Sequence, residues 1–189
     1  MTKEQYKKEW NNCTKCPLHK GAMNHVLFRG SIPADVLLVG EAPGKTEDRL
    51  GKPFIGRSGQ LLTTAIQRLG LTSYCITNVV CCIPWQSEDH QKIRVPSKEE
   101  ADSCSPHLTQ LFDLCKPRLV ALLGEQAKKY FKGSKFMGTP VVTFRHPAYI
   151  LRKGGEDSLE FKRFLDVFST SLSGYGIIHT NPFQAIETY

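Results

Sequence analysis

Four short runs of uninterrupted apolar residues, separated by segments in which apolar positions recur every three or four residues, set the pattern of this chain. ADVLLVG (34–40), YCITNVVCC (74–82), RLVALLG (118–124) and PVVTF (140–144) read as strands covered on both faces, because a strand with one wet face alternates apolar and polar residues. Helical spacing fills the intervals. SGQLLTTAIQRLGL predicts a helix with Ser58 as N-cap and Gly70 as stop, and PSKEEADSCSPHLTQLFDLC a helix opened by Pro96 and Ser97. EQAKKYFKG predicts another, residues near 157–173 a last one, and residues 3–12 a short leading helix. SEDHQKIRV reads as a polar loop, and the tail GIIHTNPFQAIETY carries no strong pattern. Strand–helix alternation with continuous apolar strands predicts an α/β fold, a three-layer α/β/α sandwich around a central four-stranded, mostly parallel sheet, in a single domain over 1–189. Ligands in such sheets collect at the carboxyl ends of the strands, so the loops after Gly40, Asn78 and Phe144 are expected to converge on one site.

Composition narrows the partner class. Lys plus Arg number 25 against 18 Asp plus Glu, a net charge of +7, which favours a polyanionic partner. The polar start MTKEQYKKEW lacks the apolar stretch of a signal peptide, and no apolar run is long enough to cross a bilayer. The expectation is a soluble, cytoplasmic monomer without membrane contact. Seven Cys in such a chain argue against a disulfide framework. NCTKCPL gives Cys13 and Cys16 the C-x-x-C spacing of a metal or redox pair; Cys81, Cys82 and Cys104 can supply two further ligands. Cys75 and Cys115 sit in apolar surroundings and read as packing residues.

VLLVGEAPGKTEDRLGKPFIGRSGQLL (36–62) invites comparison with a triphosphate-binding loop, and fails it. The pattern G-x-x-x-x-G-K-S/T needs a glycine where Val39 stands, and Pro43 removes a backbone N–H that would wrap a phosphate. Gly51 and Pro53 also argue against a helix starting directly after Thr46.

The same residues closely resemble a different motif. GEAPGKTEDRLGKPFIGRSGQLL is similar to the first block of the family-4 (iron-sulfur) uracil-DNA glycosylases, approximately GEAPG-x-x-ED-x-x-G-x-PF-hydrophobic-G-x-A/S-G-x-LL. TNVVCCIP is similar to that family's TNVVKCRPP, RLVALLG follows, and RHPAYILR is similar to its HPSYLLR. The blocks occur in the family's order across residues 13 to about 152. The resemblance implies a base-excision repair enzyme that flips uracil out of single- or double-stranded DNA and hydrolyses its N-glycosidic bond, leaving an abasic site without lyase action.

It also implies roles. Backbone at Gly40, Ala42 and Gly44 approaches the base, and Phe54 offers a stacking face, worth ~1–3 kcal/mol per base. The Asn78 amide donates to uracil O4 and accepts from N3–H; cytosine presents the reverse pattern. His146 faces uracil O2, where negative charge develops. The water-positioning Asp of the family-1 motif GQDPY falls at Ala42, which leaves Glu41 and Glu47 as the nearest carboxylates. Gly44 falls where family 1 has the Tyr that blocks a 5-methyl group, so 5-substituted uracils such as hydroxymethyluracil are expected to be tolerated. Ile150 takes the position of a Leu that wedges into the duplex, flanked by Tyr149, Arg152 and Lys153, the alternative being that AYIL begins a helix packed on the core; Arg57 and Ser58 reach phosphate.

Cys13, Cys16, Cys82 and Cys104 match the family's four ligands for a 4Fe-4S cluster. Cys81 stands where the family has Lys, so ligation by Cys81 or Cys82 stays open, as does zinc in the same thiolates. The stretch from Cys82 to Cys104 is longer than usual in the family. Related glycosylase-like proteins that crosslink to DNA carry a KRRIH-type histidine here, whereas Ile93 stands at that place and His90 precedes it. Lys92 and Arg94 are expected to contact DNA instead. The alternative to a glycosylase is a non-catalytic or covalently trapping uracil-DNA binding protein of the same fold. His19, His25, His90, His107 and His179 lack supporting motifs and read as structural.

Overall fold

A computed structural model describes residues 1–131, 136 and 138–178. His179 and most of the pattern-poor tail lie outside the described residues. The sheet has five strands rather than the four expected: β1 (Arg29–Gly30), β2 (Val36–Gly40), β3 (Tyr74–Asn78), β4 (Leu119–Leu123) and β5 (Val141–Phe144), in the order β1-β3-β2-β4-β5. β1 escapes a pattern search because it is two residues long; it pairs antiparallel to β3, and every other pairing is parallel.

Alternate residues of the central strands face opposite cores. Leu37, Val39, Cys75, Val120 and Leu122 point to one side, against α1 (Lys3–Trp10), α4 (Lys98–Cys115) and α5 (Glu125–Tyr130). Val36, Leu38, Ile76, Leu119, Ala121 and Leu123 point to the other, against α3 (Arg57–Arg68), α6 (Pro147–Arg152) and α7 (Leu159–Gly174). That is the three-layer sandwich, and the fully apolar strands follow from having helices on both faces. Ser97 opens α4 with a reciprocal capping box to Glu100, and Thr2 does the same for α1 with Gln5.

Two short helices border the loops at the carboxyl edge of the sheet. α2 (Lys45–Leu50) does begin at Lys45, contrary to the expectation drawn from Gly51 and Pro53: Gly51 ends it in the left-handed conformation, φ 68°, so the helix fits entirely before the proline. α6 starts at Pro147, a residue whose missing N–H costs nothing in a first turn. Ile150 on this helix is 1% exposed and packed into the core with α3 and α7. The expected wedge into DNA is therefore corrected: Ile150 is a core residue, because the helix turns its apolar face inward.

α3 approaches the preceding loop so closely that a Cβ at Gly59 would lie 1.9 Å from the carbonyl carbon and oxygen of Phe54. Backbone cannot yield as a side-chain tip can. Gly59→Ala is expected to destabilise the fold by ~1–3 kcal/mol, as overpacked sites do. Urea unfolding measures this, and an unchanged midpoint contradicts the close approach.

Candidate active site

β2 and β3 end in register, Gly40 beside Asn78, and the chain beyond each turns outward from the sheet's carboxyl edge. Val79 and Val80 donate their N–H groups to the carbonyls of Gly40 and Glu41, which holds the two outgoing segments together. A cavity of about 480 Å³ opens there, lined by residues that include Glu41, Ala42, Gly44, Glu47, Phe54, Asn78 and His146. The loops after β2, β3 and β5 thus converge as their strand ends require. Gly40 lies behind the lining: a Cβ on it would come within 2.4 Å of the Phe54 ring and 2.5 Å of Asn78 Oδ1.

Phe54 adopts φ 54°, unusual for an aromatic residue, and is held there. Arg29 on β1 donates Nε–H to the carbonyl of Pro53 at 2.8 Å and Nη2–H to the carbonyl of Phe54 at 3.1 Å and to Thr63 Oγ1 at 3.0 Å. Arg29 carries no motif signal; only the two-residue strand that places it beside Pro53 reveals its part. The Asn78 side chain is buried, and its Oδ1 has no hydrogen-bond partner. Such an atom is an acceptor waiting for a donor, since an unmet buried polar group costs ~1–3 kcal/mol.

His146 caps α6, its Nδ1 accepting the N–H of Ala148 at 3.1 Å. An accepting Nδ1 leaves the ring proton on Nε2. Burial, and then the charge of Arg152, lower the His146 pKa to about 4, so the ring is neutral across the physiological range. Its centroid lies 5.9 Å from that of Phe54.

The two carboxylates differ. Glu47 Oε1 accepts the N–H groups of Ile55 at 3.1 Å and Gly56 at 2.8 Å, tying α2 to the start of α3. Glu41 has its pKa raised by burial alone. Beside Glu47, the buried Asp48 accepts from the N–H groups of Met23 and Asn24 and ties α2 to the N-terminal segment.

Arg57, Ser58 and Arg152 line a neighbouring cavity of about 510 Å³ with Lys45 and Leu151. Ser58 and Arg152 also reach the first cavity, so the two are continuous. Tyr149 stands apart from both linings, its ring flanked by Arg145 at 5.2 Å and Lys153 at 5.7 Å.

The long stretch after Cys82 folds back as a hairpin, Gln86 N–H bonding Lys92 O and Arg94 N–H bonding Pro84 O. Its return arm puts Ile93 and Arg94 into the wall of the first cavity. Arg94 is not free for phosphate: both of its terminal nitrogens meet Glu100 at 2.7 Å. His90 stacks on Trp85 at 4.9 Å and is absent from that cavity's lining.

The cysteines gather on the α1/α4 side. Burial raises the Cys82 pKa, and the charges of Cys104, Cys16 and Cys13 raise it further; Cys16 is raised by burial with Cys104 and Cys13 contributing. The charges of these four thiols thus reach one another on the same side of the sheet. Cys81 is different: its thiol and its N–H, the latter at 3.4 Å, both donate to Cys104 Sγ and lower the Cys104 pKa. Cys81, Cys104 and His107 also present donor atoms within 4.8 Å of one another. His107 is unavailable as a ligand, because Nδ1 bonds Tyr6 Oη at 2.8 Å and Nε2 bonds the Asn78 carbonyl at 3.0 Å. His19 and His25 donate to the carbonyls of Cys16 and Cys13, at 2.6 and 2.8 Å. Four cysteines gathered on one side of the sheet, with one sulfur receiving extra hydrogen bonds, supply the donor types of an iron-sulfur cluster or a zinc site.

A sequence profile of the uracil DNA glycosylase superfamily matches residues 28–169. A type-4 uracil-DNA glycosylase from Pyrobaculum aerophilum is 39% identical over 180 residues, spanning 83% of this chain and 88% of the relative. One from Thermotoga maritima is 33% identical over 156 residues, spanning 74% and 78%. The chain belongs to the type-4 uracil-DNA glycosylases. The solution structure of a Methanosarcina acetivorans protein, proposed to be a uracil DNA glycosylase, superposes with a TM-score of 0.53 at 14% identity, covering 75% of this chain and 93% of that one; at that identity it speaks for the fold alone. Three of the motif blocks that suggested the type-4 family supply Phe54, Asn78 and His146 to the cavity lining, and the fourth, RLVALLG, forms the buried strand β4.

Proposed function

We propose that this protein excises uracil from DNA, binding the extruded base in the cavity between Phe54, Asn78 and His146 and hydrolysing its N-glycosidic bond. The orphaned Asn78 Oδ1 carries the reading. Uracil N3–H is the donor it lacks, and cytosine offers only a lone pair at that position, leaving two acceptors facing each other. The Phe54 ring supplies a stacking face. Neutral His146, with its proton on Nε2, donates to O2 as charge builds on the departing base, which favours the transition state over the ground state. Of the carboxylates, Glu41 is the one free to orient water, whereas Glu47 is occupied in shaping the loop.

The adjoining groove, with Arg57, Ser58 and Arg152, takes the phosphates on either side of the flipped nucleotide, in single- or double-stranded DNA. No lysine lines the base cavity among the described residues, which fits a monofunctional hydrolase, since lyase chemistry needs an amine nucleophile. Covalent trapping finds no histidine on the hairpin's inner arm, where Ile93 stands. Gly44 adds no side chain of its own to the lining, where the Glu47 carboxylate stands beside it, and hydroxymethyluracil is a further substrate in this reading. No helix among the described residues is long and apolar enough to cross a membrane. The activity requires access to genomic DNA, so in this reading the protein acts in the cytoplasm, as a monomer.

Cys13, Cys16, Cys82 and Cys104 hold a 4Fe-4S cluster in this reading. When bound, it cross-links the N-terminal segment, the loop after β3 and α4. No cysteine lines the base cavity, so the cluster stands outside the chemistry.

Oligonucleotides bearing uracil are expected to break at the uracil position after alkali treatment. Asn78→Ala lowers the excision rate at least about tenfold, and His146→Ala lowers it ~10²–10³-fold, the usual loss of one such donor. Intact uracil strands with the wild-type protein contradict the proposal. For the cysteine centre, the purified protein is expected to be brown with about four irons per chain; Cys82→Ser loses the colour and Cys81→Ser keeps it. The reverse order contradicts the ligand assignment, and a colourless zinc protein contradicts the cluster.

A further inference from the structure

We propose that His107 is a positioning residue for Asn78, held in one tautomer by Tyr6 so that its ring fixes the peptide from which the base-reading amide projects. The inference rests on Asn78 recognising the base. Asn78 is the last residue of β3. Past it, the N–H groups of Val79 and Val80 follow the β2 side, while the Asn78 carbonyl turns to α4 and meets His107 Nε2 at 3.0 Å.

The tautomer follows from the partners. A carbonyl only accepts, so Nε2 carries the proton and Nδ1 keeps its lone pair. Tyr6 Oη lies 2.8 Å from Nδ1 and donates to it. Tyr6 and His107 are fully buried, and Asn78 is 2% exposed. Burial holds the His107 pKa down at about 4, which agrees with a ring bearing a single proton. Trp10 meets the imidazole edge-on at 5.7 Å, so the ring cannot turn without displacing it.

The opposite tautomer would set an unprotonated nitrogen against the Asn78 carbonyl and oblige the Tyr6 hydroxyl to turn its proton away from the ring, into the core. That leaves the Asn78 carbonyl without its buried donor, and the peptide after Asn78 is then held only from the β2 side, by the Val79 N–H on the Gly40 carbonyl. Its amide is the reading head, and misplacement of a reacting or binding group by about 1 Å can cost ~10²-fold. Tyr6 and His107 also connect the pocket to the cysteine centre. α1 carries Tyr6 and leads to Cys13, and α4 carries Cys104 one turn before His107.

The test compares wild type, His107→Phe, Tyr6→Phe and Asn78→Ala in binding duplexes with an uncleavable 2′-fluoro-2′-deoxyuridine or 2′-fluoro-2′-deoxycytidine, alongside melting temperature and visible absorbance. Asn78→Ala is the control: if it leaves the uracil-to-cytosine preference intact, the underlying assignment of Asn78 fails. With that preference lost in Asn78→Ala, the inference expects it to shrink about tenfold in His107→Phe and by a smaller factor in Tyr6→Phe, with absorbance retained. Tyr6→Phe keeps the ring packing and decides the matter should His107→Phe not fold. A wild-type preference in either folded variant, whatever its melting temperature, overturns the inference.

Discussion

The missing side chain of Gly40 is the constraint on which the site depends. Two parallel strands end side by side at Gly40 and Asn78, and a third group, the Phe54 ring, leans over the same α-carbon. Any Cβ there would occupy the space of both the ring and the amide oxygen. The cavity is therefore a property of the backbone at a strand end, and side chains from three separated segments only line it. The carboxyl edge of a parallel sheet makes this possible, because neighbouring strands deliver their outgoing loops to one place.

Each lining group is fixed from behind. Phe54 holds a strained backbone conformation because Arg29 takes the carbonyls on either side of the Pro53–Phe54 step and Gly59 closes from below. His146 is fixed by its own helix, whose first free N–H claims Nδ1 and so decides where the proton sits. Glu47 and Asp48, adjacent on α2, each spend a carboxylate on backbone N–H groups of other segments. In the proposed reaction, such preorganisation would let a neutral imidazole act as an electrostatic catalyst without rearrangement at the moment of bond breaking.

Much of this was legible in the residues. The central strands announce themselves as unbroken apolar runs because both faces are covered, and the long helices by their period and caps. The motif blocks marked Phe54, Asn78 and His146, which do line one cavity. What escaped has a common cause: its meaning is set by tertiary placement. β1 is too short to show a period, yet it delivers Arg29. Ile150 sits in a motif position suited to a wedge, but only helix rotation decides that it faces the core. Arg94 reads as a phosphate contact until Glu100, buried one turn into α4, claims it. His107 shows nothing in sequence, because its two partners are 101 and 29 residues away.

The central claim concerns one ring in one cavity, and a crystal structure of the protein with free uracil tests it most directly. The account predicts the base stacked on Phe54, with N3–H on Asn78 Oδ1 and O2 facing His146 Nε2. Uracil bound elsewhere, or in this cavity with Asn78 Oδ1 still without a donor, contradicts it.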